Sequence, residues 1–318
     1  MQGGRRLLGI VLGVALAALT GCVVLRWVDV ASMPVAVIQA LFPVVVAATI
    51  LVATTALVCR YRRLALVGAV PAVTGLVLAG ASLVPHTAQP GPGQVTVLST
   101  NIQFGQGSAE DVVAAVRAHH ADVAVVLEID EPAALRLRNA GLERELPYSA
   151  SSPNTGASGS VIRSRWPVAL LDAGVGETGS VLALDQPVAR VEMPGKSFTI
   201  KAIHPLPPVG YAGRWRESLR LTTTWKDAEP PGTPLVLAGD FNGSEAHPAY
   251  REISAGMTDT HRAAGAGWVR TWPQGRRMPP FVQLDHVLVR GFDVVDAGTT
   301  AIGNTDHAAV WATLRTTG

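Results

Sequence analysis

Cysteine occurs at only two positions of this 318-residue chain, Cys22 and Cys59, and none follows residue 59. A disulfide framework is therefore excluded beyond that point, and cysteine says nothing about compartment. Acidic residues are nearly missing from residues 1–85, which hold one, Asp29, against six arginines. A positive excess is missing from the rest, where 20 Lys+Arg face 23 Asp+Glu for a formal charge of −3. Surfaces that grip long nucleic acids are usually basic, because phosphate neutralisation supplies much of their affinity. The charge balance disfavours that class of partner. Internal repeats and low-complexity tracts are also absent, which excludes repeat arrays.

What is abundant is hydrocarbon near the N-terminus. Three apolar runs, Leu7–Leu25, Val35–Cys59 and Leu64–Val84, each reach the roughly 20 residues that span a bilayer. Pro43 lies within the second and Pro71 within the third. Arg5 and Arg6 precede the first run, and Arg60, Arg62 and Arg63 separate the second from the third. The loop between the first two holds Arg26 against Asp29. The positive-inside tendency then puts the N-terminus and the 59–64 turn in the cytoplasm and everything after Val84 outside. Leu19-Thr20-Gly21-Cys22 also has the form of a lipoprotein cleavage box, but apolar residues continue past Cys22, so a spanning helix is the preferred reading. The expectation is a multi-pass protein of the cell membrane with an extracytoplasmic domain. Residues 1–85 would form an anchor of three helices, 86–93 (HTAQPGPG) a linker, and 94–318 one globular domain.

Within 94–318 strand patterns dominate. Gln94–Ile102, Ala121–Ile129, Ser160–Ile162, Val181–Leu184, Val188–Glu192, Phe198–Ile203, Leu235–Ala238, Leu284–Val289 and Ala308–Leu314 read as strands. Helices are expected from Ser108 to about His119, opened by a capping-box-like Ser108/Asp111 pair, and over Gly213–Trp225. Many strands with few helices suit two packed sheets flanked by helices, an α/β sandwich of four layers.

The polar residues at strand edges carry the chemistry: Asn101, Glu128, His204, Asp240, Asn242, Asp285, Asp306 and His307. Carboxylates and Asn are hard oxygen ligands suited to Mg²⁺ or Mn²⁺, and the two histidines supply proton transfer or oxyanion donation. Gly239-Asp240-Phe241-Asn242 resembles the hallmark of the endonuclease/exonuclease/phosphatase (DNase I-like) superfamily. Ser99-Thr100-Asn101, Leu127-Glu128, Ile203-His204-Pro205, Leu284-Asp285-His286 and Thr305-Asp306-His307 follow the family's order over roughly 94–315. The resemblance implies a DNase I-like sandwich and a hydrolase acting on phosphate ester or phosphoanhydride bonds. Glu128 would be the principal metal ligand, with Asn101 and Asp306 nearby. His307 would be the general base or the electrostatic partner of the phosphate, oriented by Asp285. Asp240 would position the attacking water, Asn242 would hold a phosphate oxygen, and His204 would donate to the pentavalent transition state.

Other residues get plainer readings. His286 should point to the opposite strand face and serve structure. His119, His120, His247 and His261 match no motif and are expected in solvent. Thr271-Trp272-Pro273 would line the cleft or pack, and Arg163 or Arg165 could reach a phosphate. An apolar anchor, a short linker and an acidic domain together resemble the layout of VanJ-type actinobacterial membrane proteins. That layout implies a lipid-linked phosphate such as undecaprenyl pyrophosphate, with a link to the cell wall and glycopeptide resistance. The competing readings are an anchored extracellular nuclease and a phospholipase C- or sphingomyelinase-like phosphodiesterase.

Overall fold

A computed structural model describes residues 2–150, 154, 157–174 and 184–317. Helix α1 (Gln2–Val24) continues through a 3-10 turn at Leu25–Trp27. The second apolar run is not one straight helix. It divides into α2 (Met33–Ala40) and α3 (Phe42–Val58), bent by 66°. Pro43 explains the break, since it lacks an amide hydrogen and its ring clashes with the carbonyl four residues earlier. Helix α4 (Arg62–Gly80) accommodates Pro71 internally. Among the described residues, two helices are long and apolar enough to cross a membrane, or three if the bent pair is one span.

The described strands form two six-stranded sheets. The first runs β11-β12-β1-β2-β4-β3, from Phe292–Ala301, Ala308–Thr316, Gln94–Asn101, Val123–Leu127, Ser160–Ser164 and Tyr148–Ala150. The second runs β5-β6-β7-β8-β10-β9, from Val168–Asp172, Val188–Met193, Lys196–Ile203, Leu235–Asp240, Asp285–Arg290 and Thr258–Asp259. Valines and alanines of the inner faces, such as Val97, Val125, Ala202 and Val287, interlock between the sheets. The outer face of the first sheet is covered by α5 (Ala109–Ala118) and α6 (Glu131–Ala140), through Val112, Val116 and Leu137. The outer face of the second is covered by α8 (Pro208–Ala228) and α9 (Pro248–Ser254), through Trp215, Leu219 and Tyr250. Short helices α7 (Leu142–Glu145) and α10 (Thr260–Ala263) complete the shell. The architecture is the expected four-layer α/β sandwich. Central strands buried on both faces need continuous apolar runs, as in the VAVVL of β2.

The Ser108 hydroxyl caps α5 as expected, accepting from the Asp111 amide at 3.1 Å. The Asp111 carboxylate does not return the bond to Ser108. It accepts from Gly303 N at 2.9 Å and ties the 303–307 loop to α5. Helix α8 starts before the expected Gly213, but Val209, Gly210 and Tyr211 leave helical geometry, so regular winding begins near the expected residue. The strand expected at Val181–Leu184 falls largely on residues 181–183, outside the described residues.

The apolar helices pack directly on the globular part. Val23, Phe42 and Val46 bury against Ala246, and Arg216 pairs with Asp29. The 86–93 segment has no regular structure, yet His86 N donates to Ala263 O and Ala88 N to Val294 O, both at 2.7 Å.

Candidate active site

The catalytic candidates meet because of strand direction. Parallel strands β1, β2, β7 and β8 run toward one edge and end at Asn101, Glu128, His204 and Asp240. Antiparallel β10 and β12 start from that edge, so Asp285 stands in register opposite Asp240, and Asp306 and His307 precede Ala308. Each sheet contributes half: Asn101, Glu128, Asp306 and His307 from the first, His204, Asp240, Asn242 and Asp285 from the second.

Two backbone features fix this edge. Gly239 has φ +154°, and a Cβ there would lie 2.1 Å from the Ile203 carbonyl, so only glycine lets β8 approach β7. Glu128 and Asn242 have positive φ of 58° and 48°. Asn tolerates that region, but Glu there is uncommon, as strained residues at functional sites often are. Its carboxylate is held by Asn101 Nδ2 at 2.9 Å and by the Phe104 amide at 2.8 Å.

At the centre, His307 Nδ1 lies 2.8 Å from Asp285 Oδ2 and His307 Nε2 lies 3.7 Å from Asp240 Oδ2. Asp240, Asp285 and His307 are all buried. Burial alone would push the His307 imidazole down, but Asp285, Asp240 and Asp306 outweigh it and raise its pKa to about 10. Burial raises the Asp240 carboxyl to about 6 against the pull of His307, with Asp285 adding to the rise. At neutral pH this leaves an imidazolium that can donate, beside a carboxylate that can accept a proton. Asp240 Oδ1 accepts from the Asn242 amide at 2.8 Å, and Asn242 Nδ2 donates to Pro205 O at 3.0 Å. His204 Nε2 sits 3.6 Å from Glu128 Oε1, while its buried Nδ1 has no partner among the described residues. Burial opposes ionisation of Glu128, but His204, Asn101 and the Phe104 amide prevail and lower its pKa.

One cluster of potential metal-ligand atoms, from Asp240, Asp285 and His307, falls within 4.8 Å among the described residues. His307 is already engaged there, hydrogen-bonded to Asp285 at 2.8 Å and ion-paired with Asp240 at 3.7 Å, so we read the cluster as a charge-paired group of side chains. Glu128 and Asp306 carry the hard carboxylate oxygens that Mg²⁺ or Mn²⁺ favours, while the Asn101 amide oxygen accepts from the Gln103 amide at 2.9 Å and its Nδ2 faces Glu128.

Several residues around the site were underrated or misread in the sequence. Trp272 Nε1 donates to Asp306 Oδ2 at 3.3 Å, and Arg276 reaches the same oxygen at 3.6 Å. The buried Thr271 hydroxyl accepts from the Leu284 amide at 2.9 Å and the Asp285 amide at 3.2 Å. Thr305 Oγ1 donates to Asn101 O at 2.8 Å and accepts from His307 N at 3.2 Å, linking β1 to the loop before β12. No periodicity announces these contacts, although Thr271-Trp272 and Thr305 sat in motifs already noted.

His286 occupies the opposite face, held by Tyr250 and Asp259 and facing the Gly243 carbonyl at 3.0 Å. The expectation that His247 and His261 lie in solvent is wrong, since both are buried. His261 Nε2 faces the Gly298 carbonyl at 3.0 Å. Neutral His247 accepts from Ser244 N at 2.9 Å through Nδ1 and faces the Ala36 carbonyl at 3.0 Å through Nε2. His119 is half-buried, stacked on Trp311, and His120 is exposed. Arg163 and Arg165 lie away from the site. Ser164 pairs with Val123 at the start of β2, whereas Glu128 follows its end, and the two arginines are engaged by Glu143 and Asp122.

Solved structures with similar folds include humanised TDP2 from D. rerio, at TM-score 0.56 and 13% identity, over 70% of this chain and 100% of that one. An endonuclease/exonuclease/phosphatase from Bacteroides vulgatus aligns at TM-score 0.53 and 18% identity, over 70% and 99%. A Staphylococcus aureus beta toxin variant with bound magnesium ions aligns at TM-score 0.51 and 14% identity, over 69% and 99%. No curated protein matches the chain. The Endonuclease/Exonuclease/phosphatase family matches residues 98–307, which takes in all eight edge residues, and the chain belongs to that family.

Proposed function

We propose that this protein is a membrane-anchored, divalent-metal-dependent phosphoesterase facing the outside of the cell, and that it removes phosphate from a lipid-linked phosphate such as undecaprenyl pyrophosphate. The observation that carries the phosphoesterase reading is the buried Asp240–His307–Asp285 arrangement at the shared sheet edge. The His307 imidazolium, oriented by Asp285, donates from Nε2 to a non-bridging phosphate oxygen and stabilises the charge that develops there. Asp240 takes the proton of a water whose oxygen forms the new bond to phosphorus. The bond from phosphorus to the bridging oxygen breaks, the lipid monophosphate departs with that oxygen and its electron pair, and the attacked phosphorus becomes inorganic phosphate. Of the two roles expected for His307, the electrostatic one suits an imidazole so strongly held in its charged form. His204 and Asn242 lie beside this position and supply further donors. Glu128, Asn101 and Asp306 would hold the cation, which when bound neutralises charge on the phosphoryl oxygen.

The lipid substrate rests on the packing of apolar helices against the catalytic part and on the domain charge of −3, which suits a strand of nucleic acid poorly. Any part in the cell wall or in glycopeptide resistance would follow from that substrate. The test is a phosphate-release panel with the purified full chain and Mg²⁺, across a polyprenyl pyrophosphate, a phospholipid and DNA. Release from the pyrophosphate alone is expected. Rapid DNA cleavage or phospholipid head-group release in its place overturns the substrate.

A further inference from the structure

A cavity of about 310 Å³ lies between the apolar helices and the catalytic part. Its walls include Val46 and Ile50 of α3, Leu78 of α4, and Trp268 and Phe281 of the loop leading back to β10. The lining is mostly hydrocarbon, and Ala47, Ala79 and Trp268 at its margin are exposed. Helices α3 and α4 are the segments expected in the bilayer, so the margin they form opens toward lipid. A Trp stacked by a cation fits that level, since aromatic side chains favour the membrane interface. Trp268 lies under the Arg270 guanidinium, 5.4 Å from its ring centroid.

The other end of the cavity abuts the active site. Ser244 and Gln283 line it, two residues from Asn242 and from Asp285. Two residues of chain span at most about 7 Å between Cα atoms. An aromatic pair stands between the two spaces. Trp272 and Val282 form a bridge, and Phe281 meets the Trp272 ring edge-on at 5.7 Å. Phe281 thus faces the cavity on one side, while on the other Trp272 holds Asp306 through its indole N–H.

We infer that this cavity binds the hydrocarbon chain of the substrate lipid, drawn sideways from the bilayer, while its phosphate lies at the sheet edge. The inference rests on the lipid-phosphate reading above and deepens it. The occupant is a polyprenyl chain, because the cavity is apolar, lined by bilayer-facing helices and close to a site that acts on a lipid-linked pyrophosphate in the reading above. Each buried methylene gains transfer energy, so shortening the available channel should act on long-chain substrates alone.

The test compares a long polyprenyl pyrophosphate with its five-carbon dimethylallyl counterpart, using the full chain in detergent micelles. Ala47→Trp and Ala79→Trp, both at exposed positions, narrow the cavity without touching the catalytic residues. At least a ten-fold rise in KM is expected for the long substrate, with kcat/KM for the short one unchanged. The short substrate also reports that each variant is folded. If the variants hydrolyse the long substrate as the wild type does, or lose both substrates in parallel while keeping the wild-type melting temperature, the cavity is not the chain site. If the wild type hydrolyses the short pyrophosphate and leaves the long one intact, the lipid reading itself fails.

Discussion

Asp240 is the proposed acceptor of the attacking water's proton. It is buried, its pKa is raised to about 6, and it faces both His307 and Asn101. At pH 7.5 it is ionised and can accept a proton. Asp240→Asn keeps the shape and removes that capacity, so kcat should fall by about 10²–10⁴, the usual worth of a positioned base. Circular dichroism and melting temperature should stay close to wild type, and retained turnover would reassign the base. The eight edge residues were legible because each ends or starts a strand, and a sandwich must gather such ends. Roles were less legible. The choice of electrostatic partner over base for His307 needs the three carboxylates around it, and these come from sequence positions up to 67 residues away. His247 and His261 were misread because burial at a crossing of distant segments leaves no periodic trace.

Among elements, the long apolar or strongly capped ones were readable and the edge strands were not. Strand β11 (Phe292–Ala301) was missed because it is an edge strand, half exposed and bulged between Val294 and Asp296. Helix α6 was missed although Asp130 caps it and Gly141 ends it in left-handed geometry. Its polar composition hid the pattern. The junction between α2 and the loop before α9 makes a prediction at this scale. Burial lowers the His247 pKa to about 4 despite its bonds to Ala36 and Ser244. Below the ordinary value of 6.5, the unfolded chain therefore binds a proton that the folded one refuses. Stability should fall as pH drops from 6.5 to 4, by about 3 kcal/mol at most, and then level off. Melting curves of wild type and His247→Gln, taken across that range, should diverge, with the variant flatter. Parallel curves would show that His247 is not the titrating group.

For the whole molecule, the helices are more than a tether. The sequence suggested an anchor joined by a linker, whereas Asp29, Ala36 and Phe42 pack on the catalytic part and the linker is pinned by backbone bonds. Such contacts join residues about 190–210 apart in sequence and could not be read from local pattern. Three crossings would leave the C-terminus outside, so a periplasmic-type reporter fused after Gly318 should be active and a cytoplasmic one silent. The reverse pattern would invert the topology. The most direct test of the central claim is phosphate release from polyprenyl pyrophosphate in liposomes holding the full chain with Mg²⁺. Wild type should release phosphate, and His307→Ala, correctly folded, should release it at least about 10² times more slowly. Equal rates for the two proteins would contradict the account.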